Sequence, residues 1–262
     1  MEPVVGARTF ATSGDAYDSY MGRYSRPLAV AFATFAGVEA GDRVLDVGCG
    51  PGALTGELVG RVGAAGVAAC DPSPPFVVDC ARRNPGVDVR PGAAEALPFE
   101  DEGFDVALAQ LVLHFVSEPS RAAAEMTRVI RPGGTVAAAV WDFGKEMEML
   151  RAFWDAALAI DPDAPDEHRV LRFGRPGEIS QWLAEAGLDG VEETELTVSS
   201  TYAGFDELWD GFLTGIGPAG SYCVNLAPDR RDALREELDR RLGSPRAAFT
   251  LEAVARAARG AR

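Results

Sequence analysis

The chain has 262 residues, 47% of them hydrophobic, with 29 glycines and 17 prolines. That is enough apolar material to bury one substantial core, and it excludes an acid-rich disordered tail. Asp and Glu number 40 against 25 for Lys and Arg, and the formal net charge of -15 opposes nonspecific attraction to DNA, RNA or an anionic membrane, so the expected partner is a small neutral or cationic molecule.

Residues 1 to about 13 are small, polar and aperiodic, and are expected to stay mobile until tied down. The stretch Asp15 to Pro27 follows, dense in Tyr17, Tyr20 and Tyr24. It reads either as a helix covering core surface or as a lid that brings these tyrosines to a polar ligand, with Arg23 meeting a carboxylate such as that of methionine. No basic start with an apolar middle opens the chain and no apolar run reaches membrane length, so a cytoplasmic protein without stable membrane insertion is expected. Cys49, Cys70, Cys80 and Cys223 show no Cys-x-x-Cys spacing and read as small buried thiols in a reducing compartment.

A small-residue helix over 28–37 leads into the stretch that organises the rest, Gly41 to Asp71. Val44, Leu45 and Val47 form a short apolar run that ends at Gly48-Cys49-Gly50-Pro51-Gly52, and Leu54, Leu58, Val59 and Val62 then recur at helical spacing. The pattern is strand, glycine turn, helix. The glycines admit strained backbone angles and close approach of a ligand, and the amides at the helix start favour an electronegative group. A second strand over 66–70 delivers Asp71, and a carboxylate there accepts from both hydroxyls of a ribose. A mononucleoside cofactor fits this turn better than a nicotinamide dinucleotide, whose turn reads Gly-x-Gly-x-x-Gly, although both use a βαβ unit.

Further along, a helix over 75–83 precedes a third strand at Val87 to Pro91. The fourth strand, Phe104 to Gln110, is continuously apolar after Asp105, as buried parallel strands are. It puts Leu111 to Phe115 at the carboxyl edge of the sheet, where open α/β sheets bind ligands. Ser117 is expected to cap the next helix, which carries Ala122, Met126, Val129 and Ile130 on one face and ends at Arg131-Pro-Gly-Gly134. Strand five, Thr135 to Val140, brings Trp141 and Asp142 to the same edge. An amphipathic helix with Trp154 in its core stripe follows, then a mobile, polar connection punctuated by Pro162, Pro165 and Pro176. A helix over 176–187 and a sixth strand over 191–200 come next. The insertion 203–245 has two helical stripes, around Phe205 to Phe212 and Leu234 to Leu242. Between them Thr214 to Tyr222 is too glycine-rich for a regular helix and reads as a lid loop or a substrate-selecting wall. The final segment, 249–259, has helical propensity.

The run Val44-Leu-Asp-Val-Gly-Cys-Gly-Pro-Gly52 resembles the first motif of the class I S-adenosylmethionine-dependent methyltransferases. The resemblance implies that the turn of Gly48, Cys49 and Gly50 passes beneath the methionine portion, and that Asp71, followed by Pro72, holds the ribose. Gly92 to Phe99 resembles the family's adenine segment, with Ala93 where the family carries an acid. Adenine recognition then falls to the Ala94 amide and apolar packing beside Glu95, an acid that also suits a turn or cap. Ile130 to Gly134 resembles a late family motif, so the matches span about 41–142. The N-terminal stretch is similar to that of actinobacterial small-molecule enzymes of the ubiquinone and menaquinone biosynthesis type (methyltransferase type 11).

The fold implied is α/β: an open Rossmann-like sheet of seven strands in the order 3-2-1-4-5-7-6, with helices on both faces. The family needs a seventh strand, so 249–259 is assigned as an antiparallel one. The 262 residues are read as one methyltransferase domain, capped by 14–36, 143–175 and 203–245, monomeric or homodimeric. S-adenosyl-L-methionine is the implied cofactor, held by Tyr17, Arg23, Asp46, Gln110 and the turn and adenine residues above. Tyr20, Tyr24, Trp141 and Tyr222 face a small acceptor methylated at O, N or C. His114 is the candidate base and Asp142 the candidate orienting group. Only His114 and His168 are present as histidines, without ligand spacing, so no metal is expected. A pocket-retaining biosynthetic cyclase and a nicotinamide oxidoreductase stand as alternatives.

Overall fold

The computed structural model describes residues 18–144 and 146–262. After a π-helical turn at Asp18–Gly22, the elements run α1 (Arg23–Phe35), β1 (Val44–Val47), α2 (Ala53–Val62), β2 (Val67–Asp71), α3 (Pro74–Arg83) and β3 (Asp88–Pro91). They continue with β4 (Phe104–Gln110), α4 (Pro119–Val129), β5 (Ile130–Trp141), α5 (Glu148–Ile160), α6 (Glu167–Val170), α7 (Glu178–Glu185) and β6 (Asp189–Tyr202). Last come α8 (Phe205–Leu213), α9 (Gly217–Asn225), α10 (Pro228–Arg241) and β7 (Phe249–Ala261).

The seven strands form one sheet in the order β3-β2-β1-β4-β5-β7-β6. The first five are parallel and β7 runs antiparallel between β5 and β6. Helices pack on both faces: α4 and α7 close one hydrophobic cluster, α1 and α2 the other. A third cluster joins α5, α8, α9 and α10 to Tyr20, Tyr24 and the β6–β7 end of the sheet. All four cysteines are free and buried.

The strand at 249–261 shows how pairing overrides propensity. Leu251, Ala253, Ala255 and Ala257 are buried at a spacing of two, and Ala255 sits in register with both Trp141 and Leu196. A helix-favouring composition yields to two complete ladders.

Three local expectations are corrected. Residues 217–225 are helical: Pro218 sits in the first turn, and Gly220 lets this helix pass the preceding loop, since a β-carbon there would lie 2.9 Å from the Gly215 carbonyl carbon. The glycine permits a close approach and does not break the helix. Ser117 does not cap α4; Glu118 occupies that position, and the Ser117 hydroxyl donates to Glu95 instead. The connection after α5 is anchored where a mobile one was expected. Arg151 pairs with both oxygens of buried Asp166 at 3.1 Å, and the Trp154 indole donates to Glu167 at 2.7 Å.

Candidate active site

The carboxyl ends of β1, β2 and β4 meet the start of α1 around a cleft of about 660 Å³. Its floor is the glycine turn. Gly48, Gly50 and Gly52 all have positive φ, and a β-carbon on Gly48 would come within 2.5 Å of Val112. The Gly48 and Cys49 amides donate to the Cys70 carbonyl at 2.8 and 3.0 Å, and so tie the turn to β2. The Gly50 amide donates to Asp71 Oδ2 at 2.9 Å, while the Ser73 amide donates to Oδ1 at 2.8 Å. Each carboxylate oxygen keeps lone-pair capacity for a further donor. Burial pushes the Asp71 carboxyl up, with the Ser73 and Gly50 amides opposing. Burial also raises Asp46 to about 7, against the hydroxyl of Thr55, which donates to Asp46 Oδ2 at 2.6 Å.

Pro72, Ala93, Ala94, Glu95 and Gln110 line the same cleft. Glu95 Oε1 accepts from the Ser117 amide and hydroxyl and from the Glu118 amide. Burial acts to raise its carboxyl, but its own backbone amide and these bonds together outweigh it and hold it below the ordinary range. Gln110 donates to the Ser25 carbonyl at 3.0 Å, while its own side-chain carbonyl oxygen and the Ser25 hydroxyl are buried without partners among the described residues. Ser25 is absent from the sequence reading: one serine on a helix carries no local signal of facing a cleft.

Leu111 and Phe115 also wall a second, narrower chamber of about 40 Å³. Leu111, whose amide N–H donates to the Ala139 carbonyl at 2.7 Å, has φ 62, an unusual conformation for a residue of this size at the boundary of two cavities. Tyr20, His114, Trp141, Phe143 and Glu167 are among the other walls, with the start of α9 closing one side. Tyr20 and Trp141, both expected to face an acceptor, line this chamber. Phe143 and Glu167 fall in the expected cap 143–175 but were not singled out, whereas the start of α9 belongs to the 214–222 stretch that was read as a lid loop or a substrate-selecting wall.

Other assignments need correction. Burial pushes His114 down to about 3, so its ring is neutral at neutral pH and takes a proton poorly. Asp142 lies outside both cavities; its oxygens accept from Arg256 at 2.8 Å and from the Gly144 amide at 2.9 Å. Arg23 ion-pairs with Glu207 and lies 4.1 Å over the Tyr202 ring, away from the cleft walls. The Tyr24 hydroxyl is 3.1 Å from that of Tyr202, its ring fully buried. Tyr222 donates to Asp161 and packs on Phe153 and Trp154. Tyr17 lies outside the described residues. Among the described residues, no three His, Cys, Asp or Glu side chains are grouped to hold a metal ion, and no helix is long and apolar enough to cross a membrane.

Residues 45–138 match the family model described as a methyltransferase domain. The chain is 41% identical over 172 residues to the demethylmenaquinone methyltransferase of Renibacterium salmoninarum, covering 61% of this chain and 72% of that one. A putative methyltransferase from an antibiotic biosynthesis pathway of Anabaena variabilis superposes with a TM-score of 0.61 at 20% identity, over 90% of this chain and 96% of that one. The [4+2]-cyclase SpnF has the same fold at a TM-score of 0.50 and 19% identity, covering 89% of this chain and 80% of that one. The chain spans 43%, 50% and 45% of the length of three other curated relatives it matches. The glycine turn facing Asp71, the sheet order and the 41% likeness agree, and the chain belongs to the type 11 family of class I S-adenosylmethionine-dependent methyltransferases.

Proposed function

We propose that this protein transfers the methyl group of S-adenosylmethionine to a small organic acceptor held in the chamber behind Leu111 and Phe115. One observation carries the reading: the cofactor-sized cleft and the aromatic chamber share those two walls. The cleft residues fit the cofactor. Asp71 offers two oxygens to a vicinal diol, and because one also accepts from Gly50, the ribose site and the glycine turn are fixed relative to each other. The unpartnered Ser25 hydroxyl and Gln110 carbonyl suit the amino-acid end. Asp46, Asp71, Glu95 and Glu118 all line the cleft, an acidic setting that favours a cation.

Bound there, S-adenosylmethionine supplies a methyl group activated by its positive sulfur. The protein's own task is alignment and exclusion of water: Leu111 and Phe115 set the passage between the cavities, and Tyr20, Trp141 and Phe143 enclose the far side. We place the protein in the cytoplasm as a single methyltransferase domain whose outer helices cap the acceptor side; its four free thiols support a reducing compartment. Titration calorimetry with S-adenosylmethionine tests the cofactor, and saturable binding is expected. A folded sample that shows none overturns the proposal.

A further inference from the structure

Three polar groups on the chamber wall have no hydrogen-bond partner among the described residues: the Tyr20 hydroxyl, the Trp141 indole N–H and His114 Nδ1. Their residues are 4%, 2% and 4% exposed. A fourth wall residue, Glu167, is 3% exposed, and the Trp154 indole donates to one of its oxygens at 2.7 Å. Buried polar groups without partners are costly, and several converging on one cavity mark where a ligand is bound by hydrogen bonds.

The types of these groups constrain what the ligand carries. An indole N–H only donates, an ionised carboxylate only accepts, and a tyrosine hydroxyl does either. A hydroxyl satisfies the indole, the carboxylate and the tyrosine together, because it has one proton for Glu167 and lone pairs for Trp141 and Tyr20, and it leaves only His114 Nδ1 unengaged. An ammonium brings protons but no lone pair, and leaves the Trp141 N–H unpaired. A carboxylate brings no proton and meets the like charge of Glu167. The remaining walls include the aromatic rings of Phe115 and Phe143, which pack edge to face on the His114 imidazole at 4.0 and 5.3 Å between centroids. Such walls suit a planar ring.

The geometry points to Glu167 as the residue that receives and orients a hydroxyl on a planar aromatic acceptor, with Trp141 and Tyr20 donating to the same oxygen. This rests on the methyltransferase reading of the adjoining cleft. The test uses phenol, benzoate and benzylamine, titrated at about pH 8, where Glu167 is ionised, into protein saturated with S-adenosylhomocysteine. Phenol is expected to bind saturably, and the two charged probes at least about tenfold more weakly. Glu167→Gln, whose amide oxygen still accepts from Trp154, should weaken phenol about tenfold and admit benzoate, with S-adenosylhomocysteine affinity unchanged. If that variant loses its fold, Tyr20→Phe carries the test; it removes an unpaired buried hydroxyl and should weaken phenol several-fold.

The inference is overturned if phenol fails to saturate the wild type, if either charged probe binds as tightly as phenol, or if phenol binds both variants as it binds the wild type. Failure of S-adenosylhomocysteine itself to bind the folded wild type instead overturns the cofactor reading, and this inference with it.

Discussion

Replacing Asp71 by alanine should separate the ribose contact from the rest of the cofactor cleft. The carboxylate is buried, with each oxygen already accepting one backbone amide, from Gly50 at 2.9 Å and Ser73 at 2.8 Å. It still has lone pairs for the two hydroxyls of a ribose, and a hydrogen bond to a charged group contributes roughly 1.5 to 3 kcal/mol. One such net loss predicts that S-adenosylhomocysteine binds Asp71→Ala roughly 10- to 150-fold more weakly by calorimetry. Two amides are also left without their acceptor, so a loosened turn is the competing cause. Adenosine distinguishes them: it carries the ribose but no amino-acid end, so its loss should equal that of the full ligand if only the sugar contact is gone. A variant that binds S-adenosylhomocysteine within twofold of the wild type would refute the ribose assignment. A much smaller loss for adenosine would assign the effect to the turn.

Asp46 tests the energetics of the same cleft. Burial raises its carboxyl to about 7, so between about pH 4 and 7 the folded state keeps a proton that the unfolded chain has released, and stability falls as pH rises through that window. Asp46→Asn carries no such penalty and its amide still accepts from Thr55. It should unfold at a higher temperature than the wild type near pH 8, by on the order of 3 kcal/mol, and by less than half of that near pH 5; equal gains at both would contradict the burial argument. Arg151→Ala strips the partner from Asp166, whose side chain is 4% exposed. It should cost about 2 to 3 kcal/mol, seen as a fall of several degrees in Tm; an unchanged Tm would show that the pair does not anchor the segment after α5. His114 should show no inflection in its ring proton resonance between about pH 5 and 8, as its pKa lies near 3. A titration centred near the ordinary value of about 6.5 would restore it as a candidate base.

What could be read from the sequence was local. The strand, glycine turn, helix and second carboxylate of 44–71 announce themselves within thirty residues, because turn chemistry and periodicity act over short spans, and the structure places Gly48, Cys49, Gly50, Asp71 and Pro72 on one cleft. The assignments that failed depend on distant partners. Arg23 was given to a ligand carboxylate, but Glu207 takes its charge from 184 positions away; Tyr24 was given to the acceptor, but Tyr202 engages its hydroxyl from 178 positions away. Nothing in the pattern around Arg23 or Tyr24 encodes those encounters. Glu167 failed in the opposite direction. Its segment is polar and proline-flanked, like an exposed loop, yet Trp154 and Arg151 on α5 hold it and Asp166 beneath the surface.

Burial also reverses the order of basicity in the acceptor chamber. In water an imidazole binds its proton more tightly than a carboxylate by about two units, which is why a histidine at a sheet edge reads as the base. Removing water penalises whichever form is charged, and the two groups carry charge in opposite protonation states. The same burial therefore drives His114 down to about 3 and lifts Glu167 to about 7, where the Trp154 bond and Arg151 hold it back and Asp166 adds to the rise. Around neutral pH the imidazole is then neutral, while the Glu167 carboxyl lies near the middle of its titration range. The chamber wall thus carries a neutral ring and a titratable carboxyl side by side, a difference that follows from packing His114 among Phe115 and Phe143 and Glu167 against Trp154.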